Sequence, residues 1–285
     1  MMAEAARVAL VTGAGRGQGR AHAIRQARAG ADVIAVDICA DLPGVPYPMA
    51  SPADLDETAR MIEEIGQRVV AVQADVRDAL QMEQAVAKGL GSLGRLDIVV
   101  ANAGIITSDP ITAMSPAKWQ QMLDVNLTGV WNTVRAATPS LIAGGRGGCI
   151  VMTSSTAGIR GFESLAHYTT AKTGVIGLMR ALANELGKYR IRVNVVIPTA
   201  CDTSMLHSDV CYGLFFGDGR LPSRDDLSAT LQSIHALPVD VVTPDDIANA
   251  AAFLTSEEAR YVTGTELRVD AGFCEKQLSA YVASP

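Results

Sequence analysis

The sequence predicts an α/β fold consisting of a single doubly wound domain, with about seven parallel strands and helices on both faces of the sheet. Short runs rich in Val, Ile and Ala alternate with helical patterns along all 285 residues, which is the order that a parallel sheet requires. Hydrophobic residues make up 48% of the chain and charged residues 19%, as expected for a protein with a well-packed core. Aromatic residues are sparse at 5%, and small residues suit close packing of helices on a sheet. Because no break in composition divides the chain, we expect one domain over residues 1–285.

The overall composition argues against several classes of partner. The net charge of −6 leaves no basic footprint for nucleic acid. No apolar run reaches the length of about 18 residues that a membrane-spanning helix needs. Residues 1–7 are short and mixed in charge and do not resemble a signal peptide. We therefore expect a cytoplasmic protein that binds neither nucleic acid nor membrane.

The cysteines and histidines predict free thiols and no metal site. The five cysteines are odd in number and contain no Cys-x-x-Cys pair, which favours a reducing compartment. The four histidines show no ligand spacing against the cysteines. His167, next to Tyr168, is interpreted as a partly exposed helix residue more readily than as a pocket residue.

The first strand, about residues 7–11, is followed by a glycine-rich turn and then by a helical pattern that Gly30 ends. In that context the glycines let the backbone approach a pyrophosphate at the positive end of the helix. The candidate cofactor-binding residues in this turn are Gly13, Arg16, Gly17, Gln18 and Gly19.

The second strand, about residues 32–36, ends in Asp37. A carboxylate at this point suits the hydroxyls of an adenosine ribose and repels a 2′-phosphate, which favours NAD over NADP. Arg16 argues in the other direction because it could pair with a 2′-phosphate. Asp37 carries more weight, since its repulsion would be direct and Ile38 beside it supplies no offsetting charge.

A proline-rich insert follows over residues 38–54. Pro43, Pro46, Pro48 and Pro52 exclude a helix over residues 38–52 and predict an ordered or partly extended loop. Ser51 then reads as an N-cap with Pro52 at the first helical position. The helix that they start is predicted to reach about residue 65.

The remaining elements follow the same alternation. Strands are predicted at about residues 68–73, 96–100, 149–152, 190–197 and 267–270, and helices at about 79–93, 115–137, a segment carrying Tyr168 that ends near 187, and 244–256. The stretch from 203 to 236 is a mixture of polar and apolar residues without a clear pattern.

Tyr168 and Lys172 stand four residues apart, which places them on one face of a helix about one turn from each other. A phenol with a pKa of about 10 is a poor base at neutral pH. A neighbouring ammonium stabilises the phenolate, so we expect Lys172 to lower the pKa of Tyr168. Such a pair can move a proton on or off a hydroxyl or carbonyl oxygen.

The glycine turn, Asn102-Ala103-Gly104, Ser155, Tyr168 and Lys172 stand in one order, and together they resemble the short-chain dehydrogenase/reductase superfamily, whose fold is of the Rossmann type. The resemblance covers nearly the whole chain. It implies catalytic roles for Asn126, Ser155, Tyr168 and Lys172. It also implies cofactor contacts from Tyr168 and Lys172 and from Asp37, Ile38, Asp75, Val76, Asn102, Ala103, Gly104, Pro198 and Thr203. One departure is Pro198-Thr199, where the superfamily commonly has Pro-Gly.

Within the superfamily, the chain resembles the carveol-dehydrogenase-like subgroup, whose members are often called mycofactocin-coupled. The proline-rich insert, the turn from Gly15 to His22, Pro198-Thr199 and the segment with Met205-Leu206-His207 carry this resemblance. It implies that the NAD is held firmly, that the insert covers its adenosine half, and that an external redox carrier, mycofactocin, recycles it. The superfamily also implies a homotetramer.

These observations predict an NAD-dependent oxidoreductase that interconverts a small hydrophobic secondary alcohol, terpenoid or alicyclic, and its ketone. A substrate-side lid is expected at about residues 199–240. The residues expected to line the pocket lie on loops at the carboxyl ends of the strands and are apolar, and Arg160 is the one exception to the lack of basic residues there. The expected pocket residues are Ile105, Ile106, Ile159, Phe162, Met205, Leu206, Phe215 and Phe216. Two alternatives stay open: an NAD(P)H-dependent ketone reductase of acyl or other carbonyl substrates, and a non-catalytic dinucleotide-sensing protein.

Overall fold

A computed structural model describes residues 6–216 and 223–276 of the chain. Its seven strands form one parallel sheet in the order β3-β2-β1-β4-β5-β6-β7. The strands are β1 Val8–Thr12, β2 Asp32–Asp37, β3 Val69–Gln73, β4 Ile98–Ala101, β5 Gly148–Thr153, β6 Ile191–Pro198 and β7 Glu266–Val269. The predicted doubly wound sheet is therefore confirmed. The strand order reverses between β1 and β4, and ligands bind at such switch points, outside the carboxyl ends of the strands.

Helices cover both faces of the sheet. They are α1 Gly17–Arg28, α2 Pro52–Glu64, α3 Ala79–Leu93, α4 Pro116–Leu123, α5 Gly129–Gly144, α6 Ala166–Leu186, α7 Asp209–Phe216, α8 Arg224–Ile234 and α9 Pro244–Thr255. Every residue of β1 and β2 is buried, because helices lie above and below these strands. Among the described residues, no helix has both the length and the apolar character that a membrane crossing requires.

The proline-rich insert is a loop, as predicted, and it ends where α2 begins. The Ser51 hydroxyl accepts from Asp54 N, and the Asp54 carboxylate accepts from Ser51 N, which completes a capping box. Pro52 occupies the first turn, where its missing N–H costs nothing. Since α2 starts at Pro52, residues 52–54 belong to the helix rather than to the loop.

The structure differs from the predicted elements in two places. The single helix expected over residues 115–137 is α4, a π-helical turn at Asp124–Thr128, and then α5, which continues to Gly144 with Pro139 inside it. The stretch from 203 to 236 contains α7 and α8. The sequence pattern missed α7 because its residues are apolar on most sides, so no helical periodicity stands out.

Candidate active site

A cavity of about 900 Å³ opens at the carboxyl edge of the sheet. Its wall is formed by the glycine turn after β1, the ends of β2, β4, β5 and β6, part of the insert, α6, the segment with α7 and α8, and the turn after β7. Its size fits the pockets that hold cofactors and small molecules. Almost all of the predicted site residues border this single cavity.

Tyr168, Lys172 and Ser155 meet on one wall of the cavity. Tyr168 and Lys172 lie one turn apart on α6, and the Lys172 Nζ is 5.7 Å from the centre of the Tyr168 ring. Lys172 is buried, and its Nζ donates to the carbonyl oxygen of Thr153 at 3.0 Å. Ser155 follows β5, and its hydroxyl hydrogen-bonds to Tyr168. The predicted phenol, ammonium and hydroxyl are thus adjacent.

Burial dominates the electrostatics of this group. It raises the pKa of Tyr168 to about 12, and the hydrogen bond from Ser155 opposes only part of that rise. It also lowers the pKa of Lys172 to about 8. The expected lowering of the Tyr168 pKa is therefore wrong for the protein by itself, because removing a phenolate from water costs more than the hydrogen bond with Ser155 returns. A further positive charge beside the phenol would act in the lowering direction.

Asn126 lies in the π-helical turn between α4 and α5 and is fully buried. Its Oδ1 accepts from Ile105 N at 3.1 Å, and its Nδ2 donates to Ile105 O at 3.0 Å. A Cβ atom on Gly104 would lie 2.6 Å from the Asn126 Oδ1 and 3.4 Å from the Lys172 Nζ. The π turn therefore aims the Asn126 amide at the same bare backbone position that Lys172 faces, and π turns often occur at functional sites.

The glycine turn brings backbone to the cavity with no room for side chains. Gly13 has a φ of +69°, and a Cβ atom there would lie 3.0 Å from Ala103 Cα. A Cβ atom on Gly19 would lie 1.8 Å from Gly13 O. Gly19 does not border the cavity; it lets the first turn of α1 press against the end of β1. Arg16 at the N-cap of α1 makes no side-chain cap, so first-turn amides face the cavity without one.

One polar atom in this cradle lacks a partner within the described residues. The Gln18 Oε1 is buried and makes no hydrogen bond, although Gln18 borders the cavity. Bare glycine backbone, an uncapped helix start and an unpaired buried oxygen fit a ligand rich in phosphates and hydroxyls. The residues present therefore fit a dinucleotide.

Asp37 is fixed at the end of β2. Its Oδ2 accepts from Gly15 N at 2.8 Å and its Oδ1 from Cys39 N at 3.1 Å, and only 7% of the residue is exposed. The Arg16 guanidinium, by contrast, donates to Pro48 O in the insert. The carboxylate is thus held at the adenosine position while Arg16 is engaged elsewhere, which favours a ribose without a 2′-phosphate.

The other predicted cofactor contacts differ in what their side chains do. Ile38, Val76, Ala103, Gly104 and Pro198 border the cavity. Asp75 also borders it, but its carboxylate pairs with the Arg77 guanidinium at 2.5 Å. The Thr203 hydroxyl donates to Cys201 O at 3.3 Å, and its methyl group would lie 3.3 Å from a Cβ on Gly17.

Thr12 is a residue that the sequence reasoning missed. Its Oγ1 accepts from Asn102 N at 3.1 Å and from Ala103 N at 3.2 Å, and its carbonyl oxygen accepts from Asn102 Nδ2. It thereby joins the end of β1 to the residues after β4. The sequence does contain a signal for this role, because Thr12 places a hydroxyl at the last position of a buried strand, directly before the glycine turn.

Tyr47 is a second residue that was missed, and it changes the picture of the insert. Its hydroxyl oxygen accepts from Ile106 N at 2.9 Å, and its buried ring packs in a cluster with Ile106, Leu165 and Leu206. The insert therefore does not only pass beside Asp37 at the adenosine end. It also crosses to the substrate side and holds the loop after β4.

The apolar pocket contains six of the eight predicted residues. Ile105, Ile106, Phe162, Met205, Leu206 and Phe215 border the cavity, whereas Ile159 and Phe216 do not. Leu214, Ile234, Phe273 and Lys276 were not foreseen and do border it. The Arg160 guanidinium also faces the cavity, but it donates to Phe273 O at 3.1 Å.

His167 is fully buried, so its interpretation as a partly exposed residue is wrong. Its Nε2 hydrogen-bonds to the Thr107 hydroxyl at 2.9 Å beneath the loop after β4. In the described part of the chain, His, Cys, Asp and Glu form no group of three or more that could hold a metal ion.

Comparison with known proteins finds relatives that match this chain over most of its length. The chain matches the family model described as enoyl-(acyl carrier protein) reductase over residues 13–274. It is 47% identical to the (-)-trans-carveol dehydrogenase of Rhodococcus erythropolis over 266 residues, which cover 93% of this chain and 96% of that protein.

Two solved structures show the same similarity. The carveol dehydrogenase from Mycobacterium avium in complex with NAD is 49% identical, with a TM-score of 0.93 over 95% of this chain and 99% of that one. A short chain dehydrogenase from Mycobacterium paratuberculosis bound to NAD is 45% identical, with a TM-score of 0.87 over 95% and 98% of the two chains.

Proposed function

This chain belongs to the short-chain dehydrogenase/reductase family, and from that premise we propose that it interconverts a hydrophobic, alicyclic secondary alcohol and its ketone with NAD as cofactor. One observation carries the proposal: Tyr168, Lys172 and Ser155 line the same cavity as a cradle that fits a dinucleotide. Both structures named above hold NAD. The carveol-type relative suggests the substrate class.

Each polar residue has a role that its contacts support. Tyr168 takes the proton from the alcohol hydroxyl as the carbonyl forms. Ser155, which hydrogen-bonds to Tyr168, holds the same substrate oxygen and orients it. Lys172 places its ammonium beside the phenol ring. Asn126 fixes the loop at Ile105, which keeps the wall opposite α6 in register.

The cofactor is assigned to the glycine turn and the ends of β2 and β4. Gly13, Gly17 and Gln18 would hold its phosphates, Asp37 would meet its adenosine ribose and Lys172 would lie toward its nicotinamide side; all five residues border the cavity. When bound, NAD supplies the carbon that accepts hydride and, in its oxidised form, a positive charge. That charge acts on the Tyr168 pKa in the lowering direction, opposite to burial.

The substrate class follows from the walls of the other half of the cavity. Ile105, Ile106, Met205, Leu206 and Phe215 are apolar and border the space next to Tyr168. The two cations that the described residues contribute to this half are directed into its wall: the Arg160 guanidinium lies over the Phe273 ring and donates to Phe273 O, and the Lys276 Nζ donates to His235 O. An apolar alcohol with a ring therefore fits better than an acidic or acyl-carrier-bound substrate.

The test of this function is Tyr168→Phe. We expect alcohol-dependent reduction of NAD to fall by about two to four orders of magnitude, the contribution of a positioned acid–base group, while NAD binding is retained. Tyr189→Phe serves as the control, because Tyr189 lies in the 3-10 turn after α6 and is 38% exposed. A Tyr168→Phe rate equal to that of the wild type would refute the role of Tyr168. Bound NAD without turnover of any alcohol by the wild type would favour a dinucleotide-sensing protein.

The remaining expectations extend this proposal. We propose a cytoplasmic homotetramer whose NAD is recycled by an external carrier such as mycofactocin. Residues 199–240 would form its substrate-side lid; residues 217–222 of that segment lie outside the described residues. Native mass spectrometry of the purified protein tests the subunit number and whether NAD co-purifies; a monomer without NAD would contradict both.

A further inference from the structure

We propose that Phe273 is the residue that limits the size of the alcohol, a role that rests on the function proposed above and specifies its substrate. Phe273 borders the cavity from the turn after β7, far along the chain from Tyr168, and only 8% of it is exposed. It belongs to the part of the apolar wall that the sequence did not predict, together with Leu214 and Ile234.

Phe273 is the inner member of a stacked pair. Its ring lies 5.8 Å from that of Phe162, centre to centre, with only 17° between the ring planes. Phe162 keeps 38% of its surface exposed, so it forms the mouth of the cavity while Phe273 lies deeper. The two rings at this point occupy volume that a bulky substituent of the substrate would need.

Charged and polar groups hold Phe273 in place. The Arg160 guanidinium lies 5.2 Å from the centre of the Phe273 ring and also donates to its carbonyl oxygen. The two Asp270 carboxylate oxygens accept from Gly272 N and Cys274 N, each at 3.0 Å. The turn that presents the ring is therefore fixed by Asp270 on both sides of Phe273.

The unusual Thr199 belongs to the same wall. Its hydroxyl is 2.9 Å from the His235 Nε2, while the His235 Nδ1 is 2.9 Å from Val239 O. Because a carbonyl oxygen only accepts, Nδ1 donates and Nε2 accepts from Thr199. The His235 ring meets the edge of Phe273 at 6.2 Å and 75°. Thr199 thus anchors the residue after α8 that packs against Phe273.

This arrangement predicts a specific change in selectivity. Phe273→Ala removes the inner ring and leaves Phe162 at the mouth, so the cavity deepens without a change at Tyr168 or Ser155. Pockets of this kind discriminate by about 10- to 200-fold for each methylene that does not fit. The variant should therefore accept bulkier alicyclic alcohols, with the change carried by KM rather than by kcat.

The experiment compares kcat/KM for menthol and for cyclohexanol, with NAD reduction followed by absorbance. In Phe273→Ala we expect the menthol-to-cyclohexanol ratio to rise by about tenfold or more, and in Phe273→Leu to rise less. Phe253→Ala is the matched control, because Phe253 is 42% exposed on α9 and does not border the cavity; its ratio should equal that of the wild type. If Phe273→Ala does not accumulate as folded protein, Phe273→Leu decides.

Three outcomes separate the possibilities. A higher ratio in the Phe273 variants, with an unchanged ratio in Phe253→Ala, supports the proposal. Turnover of both alcohols with an unchanged ratio in the Phe273 variants overturns the role of Phe273 and leaves the proposed function intact. Absence of turnover of every alcohol by the wild type overturns both.

Discussion

The two halves of the cavity are built in different ways. The cofactor half consists of the turn between β1 and α1 and the ends of β2 and β4, where backbone atoms approach each other closely; a Cβ on Gly19 would lie 1.8 Å from Gly13 O. The substrate half consists of side chains from the insert, α7, α8 and the turn after β7, such as Met49, Leu214 and Phe273, and the buried Tyr47 ring packs in the apolar cluster behind them.

The difference shows what each half tolerates. Backbone in close contact has no alternative rotamer with which to relieve a clash, whereas interdigitated side chains can repack after a substitution of similar volume. We therefore expect that even a single added atom in the cofactor half destabilises the protein. The residues of the substrate half, by contrast, should differ among related enzymes. Lys172 lies between the two halves, and its burial lowers the pKa of its ammonium group and destabilises the folded protein.

The largest effect should come from adding one methyl group to the cofactor half. Gly19→Ala places a Cβ against backbone that cannot move aside, so the loss should exceed about 3 kcal/mol, the upper end of the usual cost of overpacking. We expect the variant to unfold at a lower denaturant concentration and to bind NAD weakly or not at all. Denaturant unfolding and NAD titration measure these effects.

Gly91→Ala on α3 is the matched control, because a Cβ there meets no atom within 4 Å. It should be neutral or more stable by about 0.4–1 kcal/mol through a restricted unfolded chain. If Gly19→Ala behaves like Gly91→Ala, the close contact of α1 with β1 does not constrain this half.

The second prediction concerns the border residue, Lys172. Burial lowers its pKa from 10.5 to about 8. Between pH 8 and 10.5 the unfolded chain binds more protons than the folded protein, so the free energy of unfolding rises with pH in this range. Below pH 8 the buried ammonium destabilises the folded protein to its full extent. At about 1.4 kcal/mol per pH unit, the buried ammonium destabilises the folded protein by about 3 kcal/mol. Replacing Lys172 also removes its hydrogen bond to Thr153 O, which offsets about 1 kcal/mol of the stability gained.

Lys172→Met should therefore be more stable than the wild type by about 2 kcal/mol at neutral pH, and should lose alcohol oxidation. The difference in stability should shrink as the pH rises from about 8 to 10.5. Urea unfolding at several pH values measures this difference in stability. Lys88→Met is the control, because Lys88 is exposed. A less stable Lys172→Met at neutral pH would show that the ammonium stabilises this fold.

The smallest effect should come from the substrate half. Tyr47→Phe keeps the buried ring but removes the oxygen that accepts from Ile106 N. Leaving this buried amide unpaired should cost about 1 kcal/mol and raise the KM for the alcohol, because Ile106 borders the pocket. Thermal unfolding and steady-state kinetics measure both changes.

Tyr261→Phe, at a residue that is 88% exposed, controls for loss of a hydroxyl. A Tyr47→Phe variant with the KM and stability of the wild type would mean that the insert packs on the substrate side without organising it. A loss of NAD affinity alone would place the effect of the insert in the cofactor half instead.

The alternating elements, the glycine turn and the helix that carries Tyr168 and Lys172 could all be predicted from the amino-acid sequence. These follow from local spacing: a period of two or 3.6 residues, glycines before a helix, and side chains four residues apart. The carboxyl end of a parallel strand also fixed the edge at which Asp37, Asn102 and Ser155 lie. Local rules sufficed because these residues follow directly after strands.

Other features of the site depend on contacts between distant segments and could not be predicted. The contact of Tyr47 with Ile106, the stack of Phe162 with Phe273 and the pairing of Thr199 with His235 join segments that no periodicity connects. The pKa of Tyr168 also depends on burial from all sides, which reversed the direction expected from its neighbour Lys172 alone. Spacing along a chain predicts which groups share a face, whereas desolvation and long-range packing depend on everything that surrounds them.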